Sequence, residues 1–261
     1  DCTGYTCLPG AVDMHVHMRG GVQAEKEDWR TGTVSALAGG VTVVVDQPNT
    51  VPPITTPELL RARLREAERE AVCGFGVNAG VAPGADLAGM RDAGAMAFGE
   101  TFAAPSSYGE GLDPATLKGL LSRIHALGGL ATVHAEEVAG AGPATLAEHD
   151  RARSSAGEAR AVQAVGALVP EGMRLHFCHL STAASIRAAR GTVEVTPHHL
   201  FLSHEMFAGD DTRARVNPPL RDEATRRDLW SCWDAIDVIA SDHAPHTLRE
   251  KALPFGEAPS G

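Results

Sequence analysis

The chain has 261 residues, 43% hydrophobic and 21% charged, which suits a sizeable core and excludes disorder. Its net charge of -10 works against nucleic acid and anionic membranes as partners, and an anionic substrate would need local positive charge from metal or arginine. Five irregularly spaced cysteines suggest no disulfide framework, no apolar run approaches the ~20 residues of a membrane span, and no signal peptide is visible, so a reducing cytoplasm is expected. In chain order, a strand is expected over 10–17, a helix over 28–39, and a strand over 41–47 rich in Val and Thr and buried on both faces. Thr56-Pro57 opens a helix to residue 71, with Thr as cap and Pro in the first turn. A strand follows over 75–81, a short helix near 87–91, and a strand over 95–102. Asp113-Pro114 starts a helix that Gly128-Gly129 ends, before a strand over 130–135 and a helix over 155–168. The remaining elements are a strand over 174–180, a helix over 182–190, a strand over 192–197, a helix over 222–233 and a strand over 236–241.

Eight strands alternating with helices imply a parallel sheet, and eight such units close most often into an α/β (β/α)8 TIM barrel, here one domain over 1–261. No Gly-x-Gly-x-x-Gly follows the first strand, which leaves an open doubly wound dinucleotide fold unsupported. The start at Asp1 and the Pro- and Gly-rich tail over 253–261, with no closing helix after the eighth strand, suggest that terminal pieces are missing.

His15-Val16-His17 ends the first strand, and residues i and i+2 of a strand share a face. Two imidazoles so placed form a chelating pair suited to zinc, although core histidines can show the same spacing. His134 ends the fifth strand, His179 the sixth and Asp242 the eighth. Barrel active sites lie at these C-terminal strand ends, so four strands deliver His, His, His, His and Asp to one rim.

This pattern resembles the cyclic amidohydrolases of the amidohydrolase superfamily. The resemblance implies that His15, His17 and Asp242 bind one metal and that His134 and His179 bind a second. It also implies that an activated water attacks the amide carbon, while Asp242 takes its proton and passes it to the leaving nitrogen. Met14-His15-Val16-His17-Met18-Arg19, Gln47-Pro48-Asn49-Thr50, Val216-Asn217-Pro218-Pro219-Leu220-Arg221 and Ser241-Asp242-His243-Ala244-Pro245-His246 narrow the resemblance to the dihydroorotases, over 9–261. By that resemblance Arg19, Asn49 and His246 hold the substrate carboxylate and Asn217 contacts the ring amide. The planar fork of arginine suits a carboxylate. The implied activity is zinc-dependent, reversible hydrolysis of dihydroorotate to N-carbamoyl-L-aspartate in pyrimidine biosynthesis. Zinc is expected at one or two ions per subunit, with two favoured. Beyond the small-molecule substrate, the partner expectations are a homodimer and contacts with other enzymes of that pathway.

Many such relatives carry a carboxylated lysine at the end of the fourth strand. Here Ala97-Phe98-Gly99-Glu100-Thr101-Phe102 has none, and Glu100 takes its place as the expected ligand. Glutamate is shorter, so it can bridge two metals, bind one, or mark a one-metal site. Cys178, Glu194 and His199 could hold a further metal, or be a buried thiol and a strand-end polar pair. His198 is expected to be structural, and His125, His149, His176 and His204 receive no role. The rival readings are an allantoinase or hydantoinase (dihydropyrimidinase), which usually lacks an arginine at position 19, and an inactive structural subunit. Loss of the lysine permits the subunit reading, and retention of the His and Asp set opposes it.

Overall fold

The computed structural model describes residues 2–103, 111–140 and 142–261. Strands β1 (Ala11–Val16), β2 (Val41–Asp46) and β3 (Gly74–Val77) pair in parallel, as do β4 (Phe98–Phe102), β5 (Leu130–His134), β6 (Arg174–Phe177), β7 (Thr192–Val195) and β8 (Val238–Ile239). Two parallel bridges join these sheets, Ala79 beside Phe98 and Val16 beside His243. Across the seams, Gly99 N donates to Ala79 O at 2.9 Å and His17 N to His243 O at 2.8 Å. The strand order and its two seams are those of a (β/α)8 barrel, as the alternation of elements implies.

The helices are α1 (Trp29–Ala38), α2 (Pro57–Glu70), α3 (Leu87–Asp92), α4 (Pro114–Ala126), α5 (Leu146–Ala152), α6 (Ser155–Leu168), α7 (Ala183–Ala188), α8 (Pro197–Phe201), α9 (Glu223–Leu229) and α10 (Leu248–Lys251). Caps set their starts. Thr56 accepts from Leu59 N ahead of Pro57, and Asp113 accepts from Ala115 N and Thr116 N ahead of Pro114. On α4, Leu117, Leu120, Leu121 and Ile124 recur at helical spacing and are all buried against the sheet, each contributing about 2 kcal/mol by removal from water.

Several expectations are corrected. Thr196 caps a helix with Pro197 at its first turn, so the segment after β7 coils into α8 instead of continuing as strand. The helix expected over 222–233 divides into α9 and a 3-10 helix over Trp230–Ala235. A one-turn helix, α10, does follow β8, held by a capping box between Thr247 and Glu250. Strand β2 is buried only toward its C-terminal end: Thr42 is exposed and Val41 and Val43 are half-covered, while Val44, Val45 and Asp46 are enclosed. Among the described residues, no helix is long and apolar enough to cross a membrane.

One buried charge pair prepares the site. Asp46, at the end of β2, accepts from Met18 N at 2.8 Å and from Arg63 Nε at 2.8 Å. Arg63 also reaches Glu66 at 2.7 Å and lies over the Trp29 ring at 4.7 Å. The pair therefore fixes the backbone of the residue before Arg19, and losing one partner would leave the other charge buried alone.

Candidate metal centre

The predicted ligands meet at one end of the barrel. His15 lies in β1, His17 just beyond it, Glu100 in β4 and His134 at the end of β5. His179 and Asp242 lie past the ends of β6 and β8. Arg19, His179 and Asp242 adopt positive φ angles of 44°, 35° and 49°, a left-handed conformation uncommon outside glycine. Three such residues at one rim mark strain that the surrounding packing sustains, as happens at functional sites.

Glu100 is the hub. One carboxylate oxygen lies 3.0 Å from His134 Nδ1 and 2.7 Å from His179 Nε2. The other accepts from Asn49 Nδ2 at 3.1 Å and faces His15 Nε2 at 3.6 Å. On the opposite side, Asp242 Oδ1 lies 3.1 Å from His17 Nε2 and 3.5 Å from His15 Nε2. Among the described residues, His15 Nε2 is thus a buried ring nitrogen with no hydrogen bond, flanked by two carboxylates. Potential donor atoms of His15, His17 and Asp242, and those of His15, Glu100 and His179, each fall within 4.8 Å of one another. An unbonded imidazole nitrogen between carboxylates fits a dication, with neutral nitrogen and carboxylate oxygen as donors.

The electrostatics agree with cation binding. Burial pulls the His15 imidazole down, but Glu194, Asp242 and Glu100 override it and hold the ring well above its usual range. Burial pushes the Glu100 carboxyl up, yet the nearby His15 charge and the hydrogen bonds from His134 and His179 hold it well below the ordinary carboxylate range. A centre so rich in carboxylate stabilises positive charge among its rings.

Glu194 and Glu136 stand behind the predicted ligands. Glu194 Oε1 lies 2.9 Å from His15 Nδ1 and accepts from His179 N at 2.9 Å, while Oε2 lies 3.1 Å from His176 Nε2. Glu136 Oε2 lies 2.6 Å from His134 Nε2 and is paired with Arg153. A carboxylate on the far nitrogen fixes the tautomer and aim of a ligating histidine. The cleft above them is walled by His17, Arg19, Asn49, Glu100, Phe102, His134, His179, Asn217 and Asp242.

A family model described as amidohydrolase family matches residues 6–249. The chain belongs to the amidohydrolase family. It is similar to curated dihydroorotases: 38% identical to that of Methanosarcina acetivorans, over 100% of this chain and 62% of the relative, and 40% identical to that of Halobacterium salinarum, over 98% and 64%. An L-hydantoinase (dihydropyrimidinase) from Arthrobacter aurescens superposes with a TM-score of 0.87 at 25% identity, over 97% of this chain and 62% of that one. A D-hydantoinase (dihydropyrimidinase) from Thermus sp. gives 0.80 at 20% identity over 97% and 62%, which shows the shared fold. The chain therefore spans less than two thirds of the length of these relatives.

Within this amidohydrolase rim, some predicted residues sit differently from expectation. His246 lies beside Arg19, with Arg19 Nη2 and Lys26 Nζ each 3.4 Å from its ring. Burial, then Arg19 and Lys26, push its pKa down to about 4. Cys178 and Glu194 do lie with His15, but His199 turns away, bonding Thr196 Oγ1 at 2.7 Å and Pro218 O at 3.0 Å. Burial pushes the Cys178 thiol up to about 12, which keeps it protonated. His176 and His149 also have partners in this region that sequence reasoning missed. Only the position of Glu136, two residues after His134 at the end of β5, was a readable signal.

His149, on α5, has its pKa pushed down to about 4 by burial, then by Arg153 and Arg215, against the opposing bond to Val216 and the Glu136 charge. The folded ring stays neutral to about pH 4, whereas the unfolded ring takes a proton near 6.5. Between those values the unfolded chain binds more protons, so this group makes stability fall as pH falls. His149→Leu is expected to remove about 3 kcal/mol of that acid sensitivity between pH 7 and pH 4, read by urea unfolding of both proteins at each pH.

Proposed function

We propose that this barrel is a zinc-dependent dihydroorotase domain, opening and closing the ring between dihydroorotate and N-carbamoyl-L-aspartate. The observation that carries the reading is Arg19, a buried guanidinium lining the same cleft as Glu100, Asp242 and His17. A cleft that joins a carboxylate-binding fork to an amide-hydrolysing centre suits a cyclic amide bearing a ring carboxylate. His15, His17 and Asp242 would hold one zinc, and His134 and His179 a second, with Glu100 between them. Bound there, zinc would make water acidic and polarise the amide carbonyl.

The chain's own groups then supply binding and proton transfer. Arg19 grips the substrate carboxylate, with His246 beside it. Asn49 and Asn217 line the same wall and orient the ring. Asp242 takes the proton of the attacking water as its oxygen bonds to the amide carbon. It returns that proton to the ring nitrogen as the carbon–nitrogen bond breaks.

The experiment is Arg19→Ala with steady-state kinetics and metal analysis. Loss of a bidentate charged contact is expected to lower kcat/KM for dihydroorotate about 100-fold, with bound zinc unchanged. Wild-type protein that hydrolyses 5-substituted hydantoins as well as dihydroorotate would overturn the assignment in favour of a hydantoinase. Protein that takes up no zinc and stays inactive would favour a structural subunit.

A further inference from the structure

We propose that His149 is a positioning residue that sets the polarity of Asn217, turning its amide NH2 toward the substrate cleft. The inference rests on the reading of the cleft as a cyclic-amide site. His149 Nε2 lies 2.9 Å from Val216 O and 2.9 Å from Asn217 Oδ1. A main-chain carbonyl can only accept, so Nε2 carries the ring proton. The same N–H therefore faces the Asn217 side chain, where an NH2 group would set donor against donor. Only the carbonyl oxygen of Asn217 suits that place. Its Nδ2 is then left to the cleft that Asn217 lines with Arg19 and Asn49. There it is a donor, suited to a carbonyl or carboxylate oxygen of the ligand and unsuited to a ring N–H.

The lever is firmly mounted. His149 is buried, and its ring meets Phe255 edge-on at 6.1 Å. Phe255 belongs to a small separate core with Leu146, Ala214 and Leu220, which clamps α5 to the loop bearing Asn217. Burial keeps the ring neutral, so its single N–H is shared by two acceptors of one loop. The cost of ordering Asn217 is met on folding and not on substrate binding.

The test is a double-mutant cycle on the whole protein, with dihydroorotate as the probe and zinc content measured throughout. His149→Leu is expected to raise KM ~10-fold with zinc content unchanged, and Asn217→Ala to do about the same. In the Asn217→Ala background, adding His149→Leu should change KM less than ~2-fold, because the effect passes through Asn217. His149→Gln, which can place an amide N–H at the same point, should restore most of the loss. An equal factor for His149→Leu in both backgrounds would overturn the proposal, since a merely structural role acts independently of Asn217. Nitrogen-15 NMR of the imidazole gives a readout that needs no turnover. The Nε2–H tautomer at pH 7 is expected, and the Nδ1–H tautomer would overturn the proposal even if the protein proved to act on a different ring.

Discussion

Replacing Asp242 with asparagine is expected to lower kcat for dihydroorotate hydrolysis about 1,000-fold in zinc-loaded protein, within the range that a positioned acid–base group contributes. Asparagine is the informative substitution because it tolerates the left-handed backbone at this position, where φ is 49°. It also keeps an oxygen that can face His17 Nε2, now 3.1 Å from Asp242 Oδ1. What it cannot do is accept the proton of the attacking water and return it to the leaving nitrogen. Burial raises the Asp242 carboxyl, but the His15 charge, the His17 hydrogen bond and His179 hold it below its ordinary value. The group is thus ionised at neutral pH, with an oxygen free to accept a proton. Zinc content measured beside kcat separates loss of a ligand from loss of the base. A decrease of less than tenfold with full zinc would remove Asp242 from the proton path.

The rim was legible where chemistry depends on local order. His15 and His17 are two apart at the end of β1, and His134 ends β5, so period and position placed them together. Apart from Glu136, the partners behind them were not legible, because they depend on contacts between distant segments. Glu194 meets His15 across 179 residues of sequence, from β7 to β1. His149 meets Asn217 across 68 residues, and nothing in its neighbours on α5 announces this. The fold shows the same division. Thr56-Pro57 and Asp113-Pro114 announced their helices through caps. Thr196-Pro197 carries the same signal yet follows four strand residues, so strand propensity masked it. His246 was placed by resemblance alone: it lies past the left-handed turn at Asp242, where strand alternation no longer says which way a side chain points.

Glu100→Ala is expected to weaken zinc binding at least 100-fold by chelator competition and to lower kcat in proportion. Outer carboxylates alone are worth 10- to about 100-fold in affinity, and this carboxylate lies among the ligands themselves. Its two oxygens divide the work, one facing His134 and His179 and the other His15 and Asn49. A glutamate is shorter than the carboxylated lysine of many relatives, so its backbone has to stand closer to the centre. Gly99 makes that approach available: a β-carbon there would collide with the Thr132 carbonyl oxygen of β5, and its φ is 127°. Gly99→Ala should therefore reproduce the zinc loss of Glu100→Ala while keeping the carboxylate in the chain. If Glu100→Ala loses zinc and Gly99→Ala does not, the carboxylate matters and the tight passage of β4 past β5 does not. If neither loses zinc, the metals are held by histidines and Asp242 alone, and Glu100 only orders the rings around them.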